Sequence, residues 1–139
     1  MTIHKDLNIG LFGFGVVGQG LYDVLRSSRG IKASITRICV KDRTKKRKLP
    51  AGYFTFDKYD LLNNPDIDLI VELIDDAEEA FLIVSEAMKK GKSVVTANKK
   101  MVAQHLEELV NLQEEYGVSL LYEASCCGSI PIIRTLEEY

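Results

Sequence analysis

Cysteine is scarce, long apolar runs are missing and charge is nearly balanced, and each shortage removes a class of protein. The three cysteines are Cys39, inside an apolar run, and the adjacent pair Cys126 and Cys127. An odd count with no CxxC or Cys/His spacing offers neither a disulfide framework nor a zinc site, and reduced structural thiols are expected. No apolar run approaches the roughly 18 residues of a membrane-crossing helix. The start, from Met1 to Leu7, lacks the apolar segment of a signal peptide, so a cytoplasmic protein without a membrane partner is expected. A formal net charge of −2 provides no field for nucleic acid or an anionic surface. Internal repeats, low-complexity tracts and long linkers are also missing. With 139 residues the chain suits one domain around a single core and is too short for a two-domain layout.

What is present is an alternation of strand-length apolar runs with segments of helical period, the pattern of stacked βα units on a parallel sheet. Leu7–Phe12 reads as the first strand. Val17, Leu21, Val24 and Leu25 then recur at helical spacing until Ser27, Ser28, Arg29 and Gly30 end the helix. Residues 31–40 read as a strand, 41–50 as a polar basic loop, 57–63 as a short helix, and 69–74 as a strand buried on both faces. Phe81, Val84 and Met88 mark a helix closed by Gly91, with Val94 and Val95 directly after it in a strand. Val102, Leu106, Leu109 and Gln113 form a last helical stripe closed by Gly117, and residues 118–122 form a strand. The pattern predicts five strands in a Rossmann-type, doubly wound α/β fold, mainly parallel, with helices on both sheet faces. Pro131 suits the first turn of a further helix.

Gly13, Phe14, Gly15, Val16, Val17 and Gly18 spell GxGxxG between the first strand and the first helix. In that setting Gly13 permits a tight turn, Gly15 lets backbone approach a pyrophosphate, and Gly18 lets helix and strand pack closely. The anion would rest on unpaired N–H groups at the positive end of the helix dipole. At the end of the second strand, where an acidic residue would read the NAD ribose and a basic one the NADP phosphate, stand Lys41, Asp42 and Arg43. Lys41 directly follows the strand, and Arg43, Lys45, Lys46, Arg47 and Lys48 add positive charge, so NADP is the expected cofactor. Two alternatives stay open: an inward Asp42 would read NAD, and such a charge run also serves as a plain solvated loop.

Three further stretches resemble homoserine dehydrogenase, and with the glycine loop the resemblance spans nearly the whole chain. Residues 94–99, Val94, Val95, Thr96, Ala97, Asn98 and Lys99, are similar to the family's VVTANK segment. Residues 68–74 resemble the strand that runs into the nicotinamide site, and residues 123–131 resemble the EASVGGGIP segment that leads into the substrate domain. The resemblance implies NAD(P)-linked interconversion of L-aspartate 4-semialdehyde and L-homoserine, on the way to threonine, isoleucine and methionine. Hydride transfer to an aldehyde leaves an alkoxide-like oxygen that needs charge stabilisation and a proton, and an ammonium supplies both. Lys99 matches the family's lysine for that role, with Thr96 beside the cofactor. Without the resemblance, Lys99 reads as an exposed lysine at a helix start, as Lys100 does.

The resemblance also implies a monovalent cation held by backbone carbonyls at Glu123, Cys126, Gly128 and Ile130, and a homo-oligomer at full length. The family's substrate domain would begin about where this chain stops, so the expectation is a cofactor-binding piece without useful turnover alone. Two departures stand out: Asp75 and Asp76 replace a glycine pair found in many relatives, and Cys127 and Ser129 replace small residues. Carboxylates at 75 and 76 suit the first turn of the helix that follows. Two other readings compete: a non-catalytic dinucleotide sensor, and a related two-domain dehydrogenase with another small substrate.

Overall fold

The structure is a computed structural model, and it describes residues 7–27, 32–43, 45, 47 and 49–122. Six parallel strands form one sheet: β1 (Leu7–Phe12), β2 (Ala33–Cys39), β3 (Phe54–Thr55), β4 (Leu69–Glu72), β5 (Ser93–Thr96) and β6 (Leu120–Tyr122). Their spatial order is β3-β2-β1-β4-β5-β6, so the chain winds outward in one direction from β1 and then reverses between β1 and β4. Reversal of the winding opens a crevice at the carboxyl ends of those strands, because the loops after β1 and β4 leave toward opposite faces. This is the doubly wound α/β fold that the alternation predicts. Among the described residues the strand count is six rather than five, because Phe54–Thr55 pairs with Ile38 and Cys39 beyond the basic loop.

Period-two alternation sorts the strands between two cores. Ile9, Leu11, Val71 and Val95 face one side, where α1 (Val16–Ser27) contributes Leu21 and Leu25. Phe12, Ile70 and Val94 face the other, beneath α2 (Tyr59–Leu62), α3 (Ala77–Lys89), α4 (Lys99–Gln104) and α5 (Leu106–Tyr116). The C-terminal stripe differs from its periodic reading, since α4 and α5 break at His105. Met101 points inward before the break; after it Leu106 lies on the surface, and Leu109 and Leu112 point inward. His105, at the break, stacks on Phe81 of α3, with ring centroids 3.8 Å apart.

Opposite the crevice, the buried Lys92 donates from Nζ to the carbonyl oxygens of Asn64 at 2.6 Å and Ile67 at 2.8 Å. It thereby clips the turn before β4 to the turn before β5, and burial holds its ammonium below the usual lysine range. Lys92→Met keeps the stem but removes the ammonium from both carbonyls, leaving Asn64 O with only the N–H of Ile67. A loss of about 1.5–3 kcal/mol is expected from the two charge-assisted bonds, read by urea unfolding; an unchanged midpoint would show that water replaces the ammonium at no cost.

Candidate functional site

The site starts from the turn after β1. Gly13 adopts φ +94°, a conformation that L side chains rarely accept, and a Cβ there would lie 3.2 Å from the carbonyl oxygen of Leu73. Its N–H donates to Cys39 O at 3.0 Å, and Leu73 N donates to Phe12 O at 2.9 Å, so the turn is tied to both neighbouring strands. A Cβ on Gly18 would meet Gly13 O at 2.9 Å, closer than real side chains come. Those two glycines are demanded by the protein's own packing. Gly15 is not: it is exposed, its φ is ordinary, and a Cβ there would meet nothing within 4 Å. Gly15 O accepts from Gln19 N at 2.9 Å, which places it at the start of α1, where the first backbone N–H groups have no intrahelical partner.

The N-termini of α1 and α3 differ in how they are filled. On α3, Asp76 Oδ1 accepts from Glu78 N at 3.0 Å and Glu79 N at 3.1 Å, and Glu78 and Glu79 charge the first turn. The N–H groups of Glu79 and Glu78 hold the Asp76 carboxyl below the usual range. The helix-start role expected for this acidic pair is thus the role Asp76 takes. The first turn of α1 carries no acidic residue, and Gly15 has no side chain with which to cap it.

A cleft of about 790 Å³ opens at the strands' carboxyl ends, between the loops after β1, β2 and β4. Of the residues expected at a cofactor, Gly13, Phe14, Gly15 and Lys41 line it, and so does Asp42, the residue that would read NAD. Val16 projects into solvent beside it, and Val17 and Gly18 belong to α1 behind the turn. Arg43 is not in the wall; its guanidinium lies 4.4 Å over the ring of Phe56, which is. Lys45 and Arg47 join Lys41 in the wall, and Arg47 lies 5.1 Å over Phe54 and donates to Asp42 O at 2.9 Å. Phe54 in turn packs edge-on against Phe14 of the glycine turn. The basic loop is therefore folded against the cleft on two aromatic shelves. Cys39 lines the floor, and its thiol is pushed up to about 11 by burial and then by Asp57, Asp60 and Glu79, which leaves it protonated and unreactive at neutral pH.

Lys99 opens α4, exposed, beyond the carboxyl end of β5 and on the same sheet edge as the glycine turn. Thr96 lies below the surface. It is fully buried, its hydroxyl donates to Glu72 Oε2 at 2.5 Å, and its oxygen accepts from Asn98 N at 3.1 Å. Glu72 is the functional candidate that motif reading passes over. It is a fully buried carboxyl at the end of β4, raised above the usual range by burial against the opposing hydrogen bonds of Thr96 and Ile74. The available signal was a lone acid inside the apolar run 69–74, since a buried carboxyl requires partners. The carbonyl set expected at Glu123, Cys126, Gly128 and Ile130 lies outside the described residues, as do Cys127, Ser129 and Pro131.

Fold and turn together define a dinucleotide-binding α/β domain, with a GxGxxG turn where the strand order reverses and an open place above its middle glycine. Residues 13–123 match the family described as homoserine dehydrogenase, NAD binding domain. The chain belongs to that family. It is 36% identical to the homoserine dehydrogenase of Bacillus subtilis across 96% of its own length and 33% of that protein's. The homoserine dehydrogenase of Neisseria gonorrhoeae is 37% identical over the same two shares. Among solved structures, a homoserine dehydrogenase from Thiobacillus denitrificans superposes with a TM-score of 0.79 at 37% identity, covering 94% of this chain and 32% of that one. The S. aureus enzyme superposes with a TM-score of 0.78 at 37% identity, covering 86% and 33%. The chain thus spans about a third of the length of the relatives it matches. Among the described residues no helix is long and apolar enough to cross a membrane.

Proposed function

We propose that this chain is the cofactor-binding part of an enzyme that interconverts L-aspartate 4-semialdehyde and L-homoserine, with NADP preferred and NAD the alternative. The observation that carries it is the contrast within the glycine turn. Gly13 and Gly18 are required by neighbouring backbone, whereas the space above Gly15 is filled by none of the described residues. That space, at the uncharged start of α1, suits a pyrophosphate laid on the amides of residues 15–18. Lys41, with Lys45 and Arg47 in the same wall, favours a ribose phosphate over a bare hydroxyl. Arg43 joins this wall only through the ring of Phe56.

The dinucleotide supplies or accepts the hydride. Lys99 presents an ammonium to the oxygen of the reacting carbon, steadies its negative charge and holds the proton that ends there. Thr96 acts from beneath, through the loop that carries Lys99. The remaining substrate contacts belong to the two thirds of the relatives' length that this chain does not match. The proposal includes a homo-oligomeric, cytoplasmic enzyme at full length, and the small net charge speaks against a nucleic-acid partner.

Calorimetric titration of the chain tests the cofactor half of this reading. NADP is expected to bind about tenfold tighter than NAD, about 1.4 kcal/mol, with an advantage that shrinks as salt screens the basic wall. Tighter binding of NAD would overturn the preference. The chain alone is expected to bind without oxidising homoserine, and the intact protein to do both.

A further inference from the structure

A closed ring of hydrogen bonds lies under the carboxyl ends of β4 and β5. Glu72 and Thr96 are register partners on neighbouring strands, so their side chains meet on the same sheet face. Glu72 Oε1 accepts from Ile74 N at 2.9 Å, and Oε2 accepts from the Thr96 hydroxyl. Thr96 Oγ1 accepts from Asn98 N, and Asn98 Nδ2 returns to Ile74 O at 3.0 Å. Asn98 Oδ1 has a second task, accepting from Met101 N at 3.0 Å as the cap of α4. Two loops are thereby locked together. One, Leu73 to Asp76, forms a wall of the cleft and lies against the turn at Gly13. The other ends in Lys99.

We propose that this ring is a positioning device: Glu72, Thr96 and Asn98 fix the backbone from which Lys99 projects relative to the cleft wall that holds the dinucleotide. The proposal rests on the reading of Lys99 given above. Burial sets the ring's stiffness. Glu72 and Thr96 are fully buried, so no water stands ready to replace a lost partner, and a missing bond must be answered by movement of the loops. The α4 cap alone would hold the helix but not its distance from β4. The Nδ2 arm of Asn98 and the Glu72–Thr96 pair span the two loops, beside the backbone bond from Ala97 N to Glu72 O at 3.3 Å. A displacement of about 1 Å at Lys99 is enough to cost a large factor in rate.

Separating the two tasks of Asn98 provides the test, in the intact protein. Asn98→Ser keeps a capping oxygen and removes the arm to Ile74; Thr96→Val removes both bonds of the hydroxyl, and Thr96→Ser restores them. For Asn98→Ser and Thr96→Val the expected result is a fall in kcat of about 10- to 100-fold. NADP affinity and the KM for homoserine should stay within about twofold, and amide hydrogen exchange at residues 97–99 should speed about tenfold. Thr96→Ser should behave as the parent does. Unchanged kcat in Asn98→Ser and Thr96→Val, or a loss of kcat that moves together with cofactor affinity and melting temperature, would overturn the proposal. An intact protein inactive on homoserine, or a Lys99→Met variant with full kcat, would instead overturn the reading of Lys99 and the proposal with it.

Discussion

Lys99→Met in the intact protein is expected to lower kcat for homoserine oxidation by about 10²- to 10⁴-fold while dinucleotide affinity stays within about threefold. Methionine suits a helix nearly as well as lysine does, and the side chain is exposed at the first position of α4, so the fold has no stake in the charge. What disappears is an ammonium at the sheet's carboxyl edge. An ammonium there acts only where negative charge gathers on oxygen, and that happens more in the transition state than in the bound substrate. Its loss therefore falls on kcat rather than on KM. Lys100→Met is the matched control. Lys100 is equally exposed and one residue further on, and its replacement is expected to change kcat by less than about twofold. The same pair of variants decides against a dinucleotide sensor, which would be indifferent to both.

Strands and helices with jobs of their own are legible in one dimension. The run from Leu69 to Val71 is buried on both faces, as its unbroken apolarity says. Gly117 adopts φ +63° and ends α5 where the pattern places a stop. The GxGxxG turn is legible for the same reason, since two of its glycines answer contacts created by neighbouring backbone. What escapes the sequence depends on register or on contacts between distant elements. Strand β3 is two residues long and exists because Ile38 and Cys39 offer it an edge. At the break His105 stacks on Phe81, 24 residues earlier, and no period in the sequence reports that contact. Glu72 and Thr96 are likewise 24 residues apart and become partners only when β4 and β5 align. The basic loop is an intermediate case. Its charge is plain in the sequence, but that Arg47 lies over Phe54 in the cleft wall while Arg43 lies over Phe56 outside it is not.

Gly15→Ala separates binding from folding and should weaken NADP affinity of the chain by at least about tenfold, with the melting temperature within about 4 °C of the parent. The expectation follows from opposite demands on one position. In the folded chain an added methyl at residue 15 meets no atom within 4 Å and no positive φ stands in its way, so the fold accepts it. A helix start loses at most a few tenths of a kcal/mol to about 1 kcal/mol when alanine replaces a glycine cap. A pyrophosphate seated on the amides of that turn, by contrast, would lie where the methyl goes, and hydrogen bonds to the anion lengthen at once when it is pushed outward. Gly18→Ala should show the reverse ordering. Its methyl would sit 2.9 Å from Gly13 O, which is backbone and cannot swing aside, so α1 must lift from β1 and the protein should lose about 1–3 kcal/mol of stability. Melting and titration of the two variants side by side give four readings. If Gly15→Ala bound NADP as the parent does, the anion would have to lie elsewhere than on this turn, and the role given to the cleft would fall with it.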